Sequence, residues 1–277
     1  MKTVLKRAER IASRLGRIEG VAAVALGGSW ARGDAFPDSD LDLGIYYHPN
    51  HRPSIAALRQ LAEELDDRHP AETVTDFGGW GPWINGGGWL EIEGERVDWI
   101  YRDLALVNQV IDDCRAGRAS CYYQPSHPHG FNNHIYMGEV YYCQILFDPE
   151  NILGALKALT LNYPPHLKRA LIDKYLWEAG FALDTSCKSA TRGDTFYVTG
   201  ALFRCAASLT QVLFALNEQY FLNEKGAINA IESFPLHPPE FKKTITDVLA
   251  QPGANAAQLR TSIQQFRELV QAVQELC

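Results

Sequence analysis

Gly27-Gly28-Ser29 is followed eleven residues later by Asp40-Leu41-Asp42. Two adjacent glycines let the backbone turn sharply and approach a ligand closely. Ser29 adds a hydroxyl, and the amides after it can open a short helix whose start favours anions. Asp40 and Asp42 stand two apart at the head of an apolar run, Leu41 to Tyr47, that reads as a strand. Residues two apart on a strand face the same side, here with Cα atoms roughly 6.6 Å apart. Two such carboxylates repel each other, and a divalent cation relieves that repulsion. Magnesium fits best, because it takes a few carboxylates and completes its shell with phosphate oxygens and water. Asp98, set between apolar residues in Glu95-Arg96-Val97-Asp98-Trp99-Ile100-Tyr101, offers a third carboxylate. A charge in such a strand is costly unless something compensates it. A phosphate cradle beside paired acids is the equipment for a metal-dependent attack on a nucleoside triphosphate.

These residues need elements to position them. Val21 to Leu26 is a short apolar run and reads as a buried strand leading into the glycines. The N-terminal residues 1–10 read as an amphipathic helix. Strands and helices alternate to about residue 149. Beyond it the pattern is helical, punctuated by Pro149, Pro164-Pro165 and Pro235 to Pro239. Residues 166–187, 195–221 and 255–276 read as long helices with apolar faces. The expected organisation is therefore a mixed α/β domain over 1–150 and a helical bundle over 151–277, with an acceptor pocket between them.

Composition narrows the class. The 277 residues are 46% hydrophobic, ordinary for a globular chain. No apolar run approaches the eighteen or so residues of a membrane span, and the N-terminus lacks a hydrophobic signal core, so the expectation is a cytoplasmic protein with no membrane partner. The six cysteines form no C-x-x-C pair, which points to reduced, buried thiols rather than a zinc site. The net charge of −7 is uneven: residues 1–150 hold 14 Lys and Arg against 22 Asp and Glu, residues 151–277 hold 12 against 11. An acidic first half argues against a nucleic-acid partner and suits a small cationic acceptor.

The constellation resembles the nucleotidyltransferase superfamily that includes DNA polymerase beta, and is most similar to the bacterial aminoglycoside and lincosamide nucleotidyltransferases. The likeness covers roughly residues 20–105 and extends weakly to Gln144 to Pro149, which resembles the last strand of that domain. It implies that Gly27, Gly28 and Ser29 hold phosphate and that Asp40, Asp42 and Asp98 bind metal, Asp98 completing the site or serving as the base. It implies a magnesium-dependent enzyme, with two ions about 3.5–4 Å apart. Such an enzyme transfers a nucleoside monophosphate, AMP from ATP, to a hydroxyl of a small molecule and releases pyrophosphate. Two alternatives stay open: nucleotidylation of a protein partner, as small antitoxin members do, and a degenerate module that binds nucleotide without chemistry. Acceptor, base preference and oligomeric state are not legible.

Several other residues carry a functional and a plain reading. Arg32 either holds a triphosphate oxygen or braces the loop through Asp34 or Asp38. Arg192 and Lys225, in the helical half, are candidates for charge on the triphosphate, or complement helix ends. Phe77 to Trp89, with six glycines and three tryptophans, is either a mobile flap or a packed hairpin. Glu91, Glu93 and Glu139 compete with Asp98 as general base. His127, His129 and His134 line a pocket or an ordinary loop, with no partner carboxylate apparent.

Overall fold

The computed structural model describes residues 2–69 and 73–277. The chain divides into two compact units, Met1–Asp112 with Tyr136–Asn162, and Asp113–Ile135 with Tyr163–Cys277. In chain order the elements are α1 (Lys2–Leu15), β1 (Val21–Leu26), α2 (Gly28–Arg32), β2 (Leu41–Tyr47), α3 (Ile55–Leu65), β3 (Gly87–Ile92), β4 (Glu95–Asp103) and α4 (Leu104–Arg115). There follow β5 (Cys121–Tyr122), β6 (Phe131–Asn132), α5 (Ile135–Tyr142), β7 (Gln144–Phe147) and α6 (Ile152–Ala158). The chain ends in α7 (Pro165–Thr191), α8 (Thr195–Leu216), α9 (Ala227–Ile231), α10 (Phe241–Ala250) and α11 (Ala256–Gln274).

Among the described residues of the first unit, a five-stranded sheet runs in the order β3-β4-β2-β1-β7. The β2–β4 pair is parallel and the rest are antiparallel. A parallel pair needs a long crossover, and the chain between β2 and β4 supplies it with α3 and β3. Period two then sorts the side chains. Leu41, Leu43, Ile45 and Tyr47 of β2 and Val97, Trp99 and Tyr101 of β4 turn to the core. There they meet the apolar stripe Ala8, Ile11, Ala12 and Leu15 of α1, and Leu58, Leu61 and Ala62 of α3. The alternate residues, Asp42, Gly44 and Tyr46 on β2 and Asp98, Ile100 and Arg102 on β4, share the opposite face, where the chemistry-bearing groups lie.

The glycine- and tryptophan-rich segment is a packed hairpin. The Phe77 ring sits between Tyr47 and Tyr101, with centroids at 4.7 and 4.9 Å. Trp80 stacks on Trp89 at 4.6 Å. Gly87 passes so close to β4 that a Cβ there would lie 1.7 Å from the Trp99 carbonyl oxygen.

In the second unit α8 is the central helix and packs against α7, α9, α10 and α11. Contrary to the sequence reading, it is long and apolar enough to cross a membrane by composition alone, but 67% of that stretch is buried. It also buries Thr210 and Gln211, which bond the Ala206 carbonyl and His134. The first unit runs past the expected boundary at 150, because α6 packs on β1. Residues 113–135 go with the helices instead, where the Tyr175 hydroxyl donates to Asn132. Cys114, Cys143 and Cys205 are buried as expected, whereas Cys121 and Cys277 are exposed.

Candidate active site

Asp42 and Asp98 are direct partners across the parallel β2–β4 pair. Neighbouring strands lie about 4.8 Å apart, so the two carboxyl groups project side by side from one face. Asp40 precedes β2 by one residue. Carried one step back, the same register sets it opposite Arg96, whose Nε lies 2.7 Å from Asp40 Oδ1. Arg96 also donates to the Asp38 carbonyl at 3.0 Å. The Arg96–Asp40 contact is an ion pair off the axis of a hydrogen bond, so Asp40 Oδ1 is buried with no hydrogen-bond donor among the described residues.

The glycine turn is built onto Asp42. The Gly27 amide donates to the Asp42 carbonyl at 2.8 Å. Gly28 opens α2 at φ +59°, and a Cβ there would stand 1.8 Å from Asp42 Oδ2. Only glycine combines that backbone with that approach. Gly33 ends α2 in the left-handed region, donating to the Ser29 carbonyl. Trp30 Nε1 bonds the Ser39 carbonyl at 3.2 Å, tying the far end of the loop back to α2. Arg32 pairs with Asp34 at 3.0 Å, the bracing arrangement.

Asp42 is the electrostatic centre of the group. Burial, then the charges of Asp98, Asp40 and Glu139, push its carboxyl up from 3.8 to about 7, with Arg32 opposing weakly. A carboxylate this poorly compensated favours a cation beside it. The donors around it are hard oxygens of the kind that suit magnesium. Among the described residues no three such side chains are already drawn into a cage, and Asp40 is held toward Arg96. The residues present therefore fit a divalent ion by chemistry and placement, with Asp40 still to turn inward.

The other proposed bases are engaged elsewhere. Glu139 accepts two bonds from the buried Arg102, at 2.7 and 2.8 Å. Arg102 also donates to the Ile84 and Tyr101 carbonyls and lies 4.9 Å from the Tyr136 ring centre. Glu93 sits at the β3–β4 turn, bonded to Arg7 and Arg10 of α1. Glu91 faces Arg96 across β3–β4, with Arg68 at 3.9 Å. Sequence reasoning missed Arg96 and Arg102, although both share the parity of Asp98 on β4. Removing Glu139 would strand the Arg102 guanidinium in the protein interior, so Glu139→Ala should destabilise the protein by about 3 kcal/mol, read from urea denaturation. Loss of less than about 1 kcal/mol would show that water already compensates Arg102.

The remaining expected residues lie in the second unit. Arg192 follows α7 and Lys225 lies just before α9; both side chains are exposed. The histidines do have carboxylate partners: His127 Nδ1 is 3.4 Å from Glu224 and His129 Nε2 is 3.4 Å from Glu178, which Arg204 also pairs at 2.7 Å. His134 is buried against Gln211 at 3.0 Å, and burial pushes its pKa down to about 4.

Residues 5–79 match the family model of the nucleotidyltransferase domain. A search of the curated proteins found no match. Among solved structures the chain is similar to a nucleotidyltransferase-like protein from Exiguobacterium sibiricum 255-15, at 11% identity and a TM-score of 0.46, covering 97% of this chain and 75% of that one.

Proposed function

We propose that the protein is a nucleotidyltransferase that moves AMP from ATP to a hydroxyl of a small cationic molecule, such as an aminoglycoside or lincosamide; the match of residues 5–79 to the nucleotidyltransferase domain model supports the reaction class. The observation that carries this reading is the Asp42–Asp98 pair with Gly28 seated on Asp42. In this reading Gly27, Gly28 and Ser29 cradle the triphosphate. Asp40, Asp42 and Asp98 hold magnesium, which when bound would activate the acceptor oxygen and stabilise the leaving one. The acceptor oxygen attacks the α-phosphorus, the bond to pyrophosphate breaks, and the acceptor proton passes to Asp98. Glu91, Glu93 and Glu139 each face an arginine, and Asp98 is the carboxylate placed beside Asp42 on the neighbouring strand. Arg32, released from Asp34, adds charge for the triphosphate. The acidic composition of the first 150 residues supports a cationic acceptor over a nucleic acid.

Thermal melting with magnesium and each of ATP, GTP, CTP and UTP tests the donor. A ligand at a hundred times its Kd stabilises by about 2.7 kcal/mol, which for units of this size is several degrees. We expect a magnesium-dependent rise with ATP that Asp42→Ala abolishes. An unmoved melting temperature with all four nucleotides would count against nucleotide binding altogether. A rise with ATP opens an acceptor screen read by pyrophosphate release.

A further inference from the structure

The acid group already holds a cation of its own. Arg96 lies two residues before Asp98 on β4, on the same face, and reaches Asp40 Oδ1 at 2.7 Å. Its guanidinium also takes the Asp38 carbonyl, so it spans the end of the loop that leads into β2. The other arginines near the acids are committed. Arg102 is buried and closed on Glu139, and Arg32 is turned to Asp34. Arg96 differs in being loosely held: its side chain is 68% exposed, and its contact leaves Asp40 Oδ1 without a hydrogen-bond donor. A carboxylate oxygen that is buried, charged and still short of a donor is a ligand atom kept ready, not a settled structural bond.

We infer that Arg96 is a displaceable counter-ion that positions Asp40 and competes with the divalent cation for it. This rests on the metal role proposed above for Asp40, Asp42 and Asp98. Without metal, Arg96 offsets part of the repulsion within the acid group and keeps Asp40 turned toward β4. When a divalent ion enters, Asp40 exchanges one cation for the other, and Arg96 swings free at the rim beside the triphosphate cradle. Cation binding is thereby weaker than the three acids alone would give, and occupancy follows the supply of cation and nucleotide together.

The test is Mn2+ binding to the nucleotide-free protein, measured by electron paramagnetic resonance, with melting in EDTA alongside. Exposed ion pairs are worth up to about 1 kcal/mol, so Arg96→Ala should bind Mn2+ roughly three- to fivefold more tightly than the natural protein. Arg96→Lys, which keeps charge but loses the fork, should fall between. In EDTA Arg96→Ala should melt lower than the natural protein, and saturating Mn2+ should close that gap. Arg32→Ala serves as a control for charge acting at a distance and should change Mn2+ affinity less. Equal or weaker Mn2+ affinity in Arg96→Ala, or an equal gain in Arg32→Ala, overturns the inference while leaving the metal site standing. Absence of Mn2+ binding in both the natural protein and Arg96→Ala overturns the metal site and the inference with it.

Discussion

Asp42→Asn is expected to make the metal-free protein more stable while removing its activity. The folded protein must ionise Asp42 against burial and against Asp98, Asp40 and Glu139, which together push its carboxyl up to about 7. The fold therefore holds this proton more tightly than the unfolded chain does. The advantage is fully present below about pH 4 and is lost as pH rises through 7. Between an ordinary 3.8 and about 7 the difference is roughly 4 kcal/mol, an upper bound that relaxation and water will reduce. Asparagine keeps the shape and drops the charge. In EDTA its gain should grow from near zero at pH 4 to about 2–4 kcal/mol at pH 8 and then level off. Urea denaturation across that range is the measurement. A gain independent of pH, or none at pH 8, would show that Asp42 is not the strained member of the group. Nucleotidyl transfer should fall on the order of a hundredfold or more, because a principal ligand of the proposed metal site is gone.

Gly28→Ala should be nearly as damaging to activity, for a different reason. The added methyl would stand 1.8 Å from Asp42 Oδ2 and 2.7 Å from its Cγ, on a backbone at φ +59°. The left-handed conformation alone costs about 1 kcal/mol for a residue with a side chain. The overlap is relieved only if Asp42 or the turn moves. We expect a loss of about 2–4 kcal/mol in stability and transfer reduced about a hundredfold, since a 1 Å misplacement already costs that much. Gly33→Ala is the matched control. It too has positive φ, at +85°, but its Cβ would meet nothing within 4 Å. It should show the conformational cost and keep most activity. Equal loss of activity in both variants would mean that loop conformation, not the approach to Asp42, is what matters.

Much of the first unit was legible because its strands obey period two with clean apolar faces. β1 and β2 fall where the apolar runs put them, and the Asp42–Asp98 juxtaposition follows once β2 and β4 are paired. β4 runs two residues past the expected Tyr101, because Arg102 and Asp103 carry no apolar signal; Arg102 is buried by virtue of Glu139, 37 residues away. β3 was legible only in part, where Glu91 and Glu93 alternate with apolar residues, and its start was hidden for the opposite reason. Its first two residues, Gly87 and Gly88, read as turn, yet the strand needs them because its neighbour leaves no room for a side chain. The histidine partners were out of reach of local spacing. Glu178 and Glu224 come from α7 and from the loop before α9, and only the tertiary fold brings them to His129 and His127. Arg96, by contrast, lies within the expected strand and shares the parity of Asp98, so spacing could have supplied it.

The chain leaves the sheet unit after Asp112, spends residues 113–135 with the helices, and returns for α5, β7 and α6 before leaving again. No single cut in the gene can therefore separate the two halves. A chain stopped at 112 would lack β7, and Val21 to Leu26 would become a bare, apolar sheet edge, a template for self-association. A chain begun at 163 would lack the residues that Tyr175 and Glu178 bond. Recombination between relatives, or exchange of the helical half, must instead preserve several splice points at once. Diversity in the helical half is then reached more readily by point substitution than by shuffling whole segments.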